Sequence, residues 1–375
     1  YEMSASLVGS EMCIRDRGDA VQNTVNPSTM ANNDLGWERT RQYNLGFELG
    51  LFNNRIRLEG DFYDSQSLDL LLNVPVPTIT GYSTQMQNIG KVQNRGMEFT
   101  LNTKNLTGEF SWSSNFNISF NKNKVLEVGV DGRPIYGSAA NANNAFITKP
   151  GYPIASFYGY KYIGVFQSEE ELAKYPHLSG DKVGDGRYED VNKDGVLDQN
   201  DKTILGDNNP LFTAGFSNSF SYKNFTLDIQ FTGSYGAEVF SFYKRMCGIY
   251  HGDRNGMIEQ LGRWQSKDQP GDGIHFRPTR TPSGWQRDPS SAWVQDASYL
   301  RLRNLTLGYN FDQKVLDKMK MKGLRLYVTG QNLFTITNYV GYDPETSSES
   351  GLAQGGDYLG YPAARSFIIG ANITF

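Results

Sequence analysis

The chain has 375 residues, with 38% hydrophobic and 13% aromatic content, a net charge of -4 and a mean hydropathy of -0.52. No run approaches the roughly 18 apolar residues of a membrane-spanning helix, 22 Tyr, 22 Phe and 5 Trp are too many for a disordered chain, and without a basic surplus nucleic acid is excluded as a partner. A soluble globular protein and a closed transmembrane β-barrel both remain.

Residues 1–17 show no signal-peptide pattern and no strand alternation. They are out of character with the rest of the chain and read as a non-native or disordered leader, so fold reasoning starts at residue 18. From there the dominant signal is period two, the mark of half-buried strands. Runs near 43–51, 56–62 and 96–103 come first. In 111–121, Trp112, Phe116, Ile118 and Phe120 oppose Ser113, Asn115, Asn117 and Ser119. The pattern recurs in 211–222, 224–235, 300–311, 324–334 and 365–375. The polar face is mostly Asn, Ser, Thr, Gly and Gln. Small uncharged residues suit a water-filled barrel interior whose other face meets lipid; an ordinary two-sheet β-protein with a dry core gives the same alternation.

Connection lengths separate the two. Short polar turns at 53–54, 105–108 and 223 alternate with long excursions at 65–94, 122–210, 237–297 and 335–364. Outer-membrane barrels have that asymmetry, with short periplasmic turns and long external loops. Counting back from a last strand that ends in the periplasm places all of 122–210 outside. The strand-like run 157–166 inside it then does not cross the membrane by itself. Nine spanning strands result. Single-chain bacterial barrels have even numbers, so the chain is expected to be incomplete at its N-terminus.

The chemically pointed motif is the acidic run from Asp190 to Asp201. Asp190, Asn192 and Asp194 stand at positions one, three and five of a calcium loop, with Gly195 at the sharp turn. Val196 would offer its carbonyl, Asp198 a side-chain oxygen, and Asp201 stands where a longer Glu is usual. A hard cation needs several oxygens on one tightly curved loop, so a structural Ca2+ is expected there. The alternative is an ion-free turn closed by its own side chains. Trp264, Trp285 and Trp293, in the excursion 237–297, are candidate sugar-stacking residues, although loop tryptophans more often pack the loop itself. Two cysteines, Cys13 and Cys247, and three scattered His residues give no disulfide framework, metal knuckle or triad. No acid pair can be placed at catalytic separation, so no enzyme activity is expected.

Several motifs in order are similar to the barrel of SusC/RagA-type TonB-dependent transporters. They are Trp37–Thr40 with Tyr43–Gly46, Leu70–Leu72, Asn88–Val92 with Asn94–Phe99, Phe157–Tyr160, Asp190–Gly195, Tyr299–Leu305, Gly330–Phe334 and Gly341–Glu345. The terminal run ending in Phe375 resembles the family's assembly signal, read by the barrel assembly machinery. The resemblance covers 37–375 and implies an all-β, antiparallel transmembrane barrel of 22 strands, of which this chain holds nine. It further implies a plug domain, location in the bacterial outer membrane among its lipid, and a SusD-like surface lipoprotein as partner. The implied activity is import of oligosaccharides or peptides driven by TonB. A soluble calcium-stabilised β-protein that binds glycans is the competing expectation.

Overall fold

The structure, a computed structural model, describes residues 10–375 apart from 18–19, 28, 83, 130–131, 140–141, 249–255, 279–287 and 346–350. Its main feature is one antiparallel sheet whose nine principal strands follow sequence order. They are β1 Arg39–Leu51, β2 Ile56–Pro75, β3 Thr84–Thr107, β4 Phe110–Glu127, β5 Phe212–Tyr222, β6 Phe225–Tyr235, β7 Tyr299–Asn310, β8 Gly323–Thr337 and β9 Ser366–Thr374. All nine expected strands are present, paired neighbour to neighbour. The two-residue strand Thr29–Met30 adds a parallel contact to β3.

Register explains the two faces. Between β4 and β5, Phe220 pairs with Trp112, Phe216 with Phe116 and Ala214 with Ile118. The rings of Trp112 and Phe220 stack at 5.8 Å and those of Phe120 and Phe212 lie 6.0 Å apart. Cross-strand aromatic pairs of this kind contribute about 0.5–1.5 kcal/mol each beyond burial. The apolar face nevertheless stays open. Leu45 is 73% exposed, Phe367 72% and Ile369 85%, so this face is not the core of a sandwich. A sheet with one uncovered apolar face and one polar face is the wall of a membrane barrel.

All short connections lie on one edge of the sheet. The β1–β2 turn runs through Phe52, Asn53 and Asn54, all with left-handed φ between 53° and 60°. Asn tolerates that region and makes so tight a return feasible. Lys223 turns β5 into β6 with φ 50°. The β7–β8 connection is longer and holds the helix Gln313–Met319. At the far end of β7 and β8 a bulge intervenes between Leu302 and Asn304, opposite left-handed Asn332. It restores the apolar face, so that Leu302 pairs with Phe334 and Leu300 with Ile336.

One expected excursion is corrected. Most of 65–94 is strand, because β2 runs on to Pro75 and β3 begins at Thr84, with pairing as far as Pro75 to Thr84. Above the membrane both faces are wet, so the apolar alternation that marks a strand fades while the hydrogen-bond ladder continues.

The three remaining excursions fold together over the opposite edge, away from the short turns. Ile135–Ala139, Ala142–Thr148, Ser156–Gly159 and Thr203–Gly206 form a four-stranded sheet. Tyr162–Val165 pairs with Gly186–Tyr188. The run 157–166 thus supplies two short strands outside the barrel sheet, as the parity argument required. A further small sheet joins Glu238–Ser241 to Val294–Asp296 and to Gly356–Asp357. Residues 1–9 of the leader lie outside the described residues. Ser10–Arg17 is a strand paired with Ala20–Pro27, in a sheet apart from the barrel wall.

Candidate functional site

The site assembled by this topology is the polar barrel face together with the cap over its mouth. On the polar face of β2, β3 and β4, amides bond across strands. Asn115 donates to Asn102 at 2.7 Å, and Asn94 accepts from Asn123 at 2.9 Å. Tyr63 donates to Asn121 at 3.1 Å. Arg57 lies between Glu48 and Glu59 at 3.0 and 2.8 Å. The wall therefore offers amide and hydroxyl groups, with its charges largely paired.

The cap has its own dry core. Phe146 and Phe157 come from the first long excursion, Phe240, Phe242, Phe276 and Trp293 from the second, and Ala353 from the third. The Phe146–Phe157, Phe146–Phe240 and Phe157–Phe240 rings all lie 5.8 Å apart. Three segments far apart in sequence thus bury one another's rings and form one body above the barrel.

Buried ion pairs fix the cap. Asp185, 3% exposed, accepts a hydrogen bond from Arg277 at 3.1 Å and forms an ion pair with the same guanidinium at 2.7 Å, joining the first excursion to the second. Arg301 on the polar side of β7 is also 3% exposed. It bonds Asp343 and Glu345 at 2.5 Å each and Thr335 at 2.9 Å. Arg303 reaches Glu345 at 2.6 Å, and the Tyr299 hydroxyl donates to the same carboxylate at 2.5 Å. Burial alone would raise the Asp343 carboxyl. Arg301 and the amides of Ala363 and Glu345 outweigh it and hold the group below the usual carboxylate range. A third tie is the bond of the Tyr339 hydroxyl to buried Asp357; burial and that carboxylate push the phenol up.

This network joins two motifs that the sequence offered separately, Tyr299–Leu305 and Gly341–Glu345. The signal was two arginines, Arg301 and Arg303, placed within an apolar alternation. A charge there needs a partner, but nothing local names it.

The expected ligand residues fare differently. Trp293 is 3% exposed in the cap core and donates its indole N–H to the Asp288 carbonyl at 3.2 Å. It packs the cap and offers no face for a sugar, which corrects that expectation. Trp264 is partly buried; a Cβ at Gly184, where φ is +89°, would collide with its ring, so the indole fits closely over that glycine. Trp285 lies outside the described residues. Phe375 is exposed at the end of the chain, just past β9.

In the acidic loop, Asp190 accepts from the amides of Lys193 at 2.7 Å and Gly195 at 2.9 Å. Asn192 and Asp194 each accept from the amide two residues on. Asp198 accepts from the Asn200 amide. Asp201 is fully buried and accepts from Val191, Asn192 and Asp198, so it ties the two ends of the loop together. The side-chain oxygens of Asp190, Asn192, Asp194 and Asp198 are thus each turned to amides of the loop itself. Asp201, turned to three amides, does not fit as the closing ligand. Among the described residues no group of three or more His, Cys, Asp or Glu side chains is arranged to hold a metal ion.

Residues 14–333 match the family model described as TonB dependent receptor-like, beta-barrel. The TonB-dependent receptor P3 of Formosa agariphila is 36% identical over 370 residues, covering 96% of this chain and 36% of the relative. The TonB-dependent receptor SusC of Bacteroides thetaiotaomicron is 30% identical, covering 98% of this chain and 35% of that protein. The chain thus spans about a third of the length of these relatives. Among solved structures, the RagAB peptide transporter superposes with a TM-score of 0.78 at 23% identity, over 98% of this chain and 39% of that one. That likeness concerns the fold.

Proposed function

This chain belongs to the TonB dependent receptor-like β-barrel family, and we propose that it is the C-terminal barrel portion of an outer-membrane importer of oligosaccharides or peptides. The observation that carries the reading is the sidedness of the molecule. One edge of an amphipathic nine-strand wall carries short turns, and the other carries three long excursions that share one core. A wall with a wet inner face and a folded cap over its mouth suits capture of a polar solute from outside. The family's energy source, TonB, would act through a plug and a TonB-binding segment supplied by the rest of the protein. A SusD-like surface lipoprotein would close over the cap. Phe375 would serve as the assembly signal for the barrel machinery.

The test uses the full-length gene in its own host. Disruption is expected to abolish uptake of a labelled oligosaccharide or peptide pool, and the protein is expected in the outer-membrane fraction with heat-modifiable mobility. Unchanged uptake of every pool would remove the import reading. Recovery of folded protein in the soluble fraction would remove the barrel reading.

A further inference from the structure

The outward face of β1–β4 changes character in one step. Leu45, Phe62, Met97 and Phe120 form a cross-strand row, and the row below it is Phe47, Gly60, Phe99 and Ile118. One step above the first of these, on the same face, the row reads Tyr43, Asp64, Arg95 and Lys122. The next reads Arg41, Gln66, Gln93 and Lys124. Two residues of strand rise about 7 Å, so these cations begin within a headgroup's thickness of the last apolar row.

Their charge stands out. Arg41, Arg95, Lys122 and Lys124 face a single carboxylate, Asp64, on a chain whose net charge is -4. Asp64 is taken by Arg95 at 2.6 Å and by Gln93 at 2.8 Å. The exposed ammonium groups of Lys122 and Lys124 have no hydrogen-bond or ion-pair partner among the described residues. Arg41 lies over the ring of Tyr43 at 5.6 Å and makes one long contact, 3.4 Å, to Gln66. Tyr43, 65% exposed, occupies the interfacial level that aromatic rings favour. Directly paired residues on neighbouring strands stand about 4.5–5.5 Å apart, so one phosphate can meet two or three of these groups.

We propose that this outward patch of Arg41, Arg95, Lys122 and Lys124 binds the phosphate groups of outer-leaflet lipid. The inference rests on the membrane orientation of the barrel given above. It concerns the outer wall, away from the lumen and the cap.

The experiment uses full-length protein purified from the outer membrane in detergent. Thermal unfolding is followed by heat-modifiable mobility, with three probes: a phosphorylated lipid A, the same lipid enzymatically dephosphorylated, and inorganic phosphate. The phosphorylated lipid is expected to raise the midpoint by several degrees, and the other two to leave it unchanged. The R41Q/K122Q/K124Q protein is expected to lose most of the shift, and K122R/K124R to keep it. An equal shift with dephosphorylated lipid, a full shift with inorganic phosphate, or a full shift in the triple glutamine variant would overturn the proposal. So would loss of the shift in the arginine variant, or absence of any shift in the parent. If the triple variant does not fold, the single variants K122Q and K124Q carry the comparison, each expected to lose part of the shift; a full shift in both would overturn the proposal. A parent protein with no heat-modifiable band would instead count against the barrel itself.

Discussion

Arg301 and Asp343 meet at 2.5 Å with side chains 3% and 8% exposed, although 42 residues separate them. The contact binds the third excursion to the barrel wall. A buried guanidinium satisfied by two carboxylates and a hydroxyl holds one geometry, because any displaced partner would be left unpaired in a low-dielectric site.

Removing one side of that pair should therefore be costly. Arg301→Met is expected to destabilise the cap by about 3–5 kcal/mol, read as a lower melting midpoint and faster proteolysis between Tyr339 and Ala364. R301M/D343L should recover part of the loss, since no buried charge then stands alone at that position. The pair also sets a pH limit. The Asp343 carboxyl is held below its ordinary range, so its contribution is complete above about pH 4 and is lost as pH falls through the folded value. Cap proteolysis should be flat from about pH 5 to 8 and rise below about pH 4. A rise centred near pH 6 would assign the control to another group.

Asn218 supplies a second test. It lies on the apolar face of β5, yet it is 8% exposed. Its carbonyl accepts the Trp112 indole N–H at 2.9 Å and the Ser114 hydroxyl at 2.7 Å, and Ser114 accepts from Asn105 at 2.9 Å. Lipid offers these donors no replacement. Asn218→Leu is expected to cost about 1–3 kcal/mol, measured by urea unfolding from lipid vesicles. Stability equal to the parent would show that the donors find other acceptors.

Period two made the wall legible. Each strand shows its own two faces in consecutive residues such as Phe116–Asn117–Ile118, and turn lengths then ordered the strands. The sequence lost the upper parts of β2 and β3, where Asp64, Gln66 and Arg95 stand above the apolar rows and carry no apolar mark. It also missed the cap core and the Arg301 network. Phe146 meets Phe240, and Arg301 meets Asp343, only after the wall has brought the excursions together, and no local pattern encodes such contacts. Trp293 read as a loop aromatic for the same reason.

Calcium provides a third test. In the loop from Asp190 to Asp201 the side chains already hold the backbone turn. A cation would engage the remaining lone pairs of Asp190, Asn192, Asp194 and Asp198 and the Val196 carbonyl. Millimolar Ca2+ is expected to slow proteolysis within this loop, with reversal by chelator and loss in D190N/D194N. Absence of any protection or binding heat would leave the loop as a self-closed turn.

Trp293 separates packing from recognition. Its ring is enclosed by the cap, and its N–H is used on Asp288. Trp293→Ala should create a cavity costing about 3–5 kcal/mol and loosen all three excursions together, since each contributes to that core. Trp293→Phe keeps most of the volume and loses only the hydrogen bond, so about 1 kcal/mol is expected. Melting midpoints and cap proteolysis would follow the order parent, phenylalanine, alanine. Solute binding by the full-length protein should change only in the alanine variant and in step with cap loosening. A variant that keeps the parent's melting and proteolysis but loses solute affinity would place Trp293 in the binding surface after all.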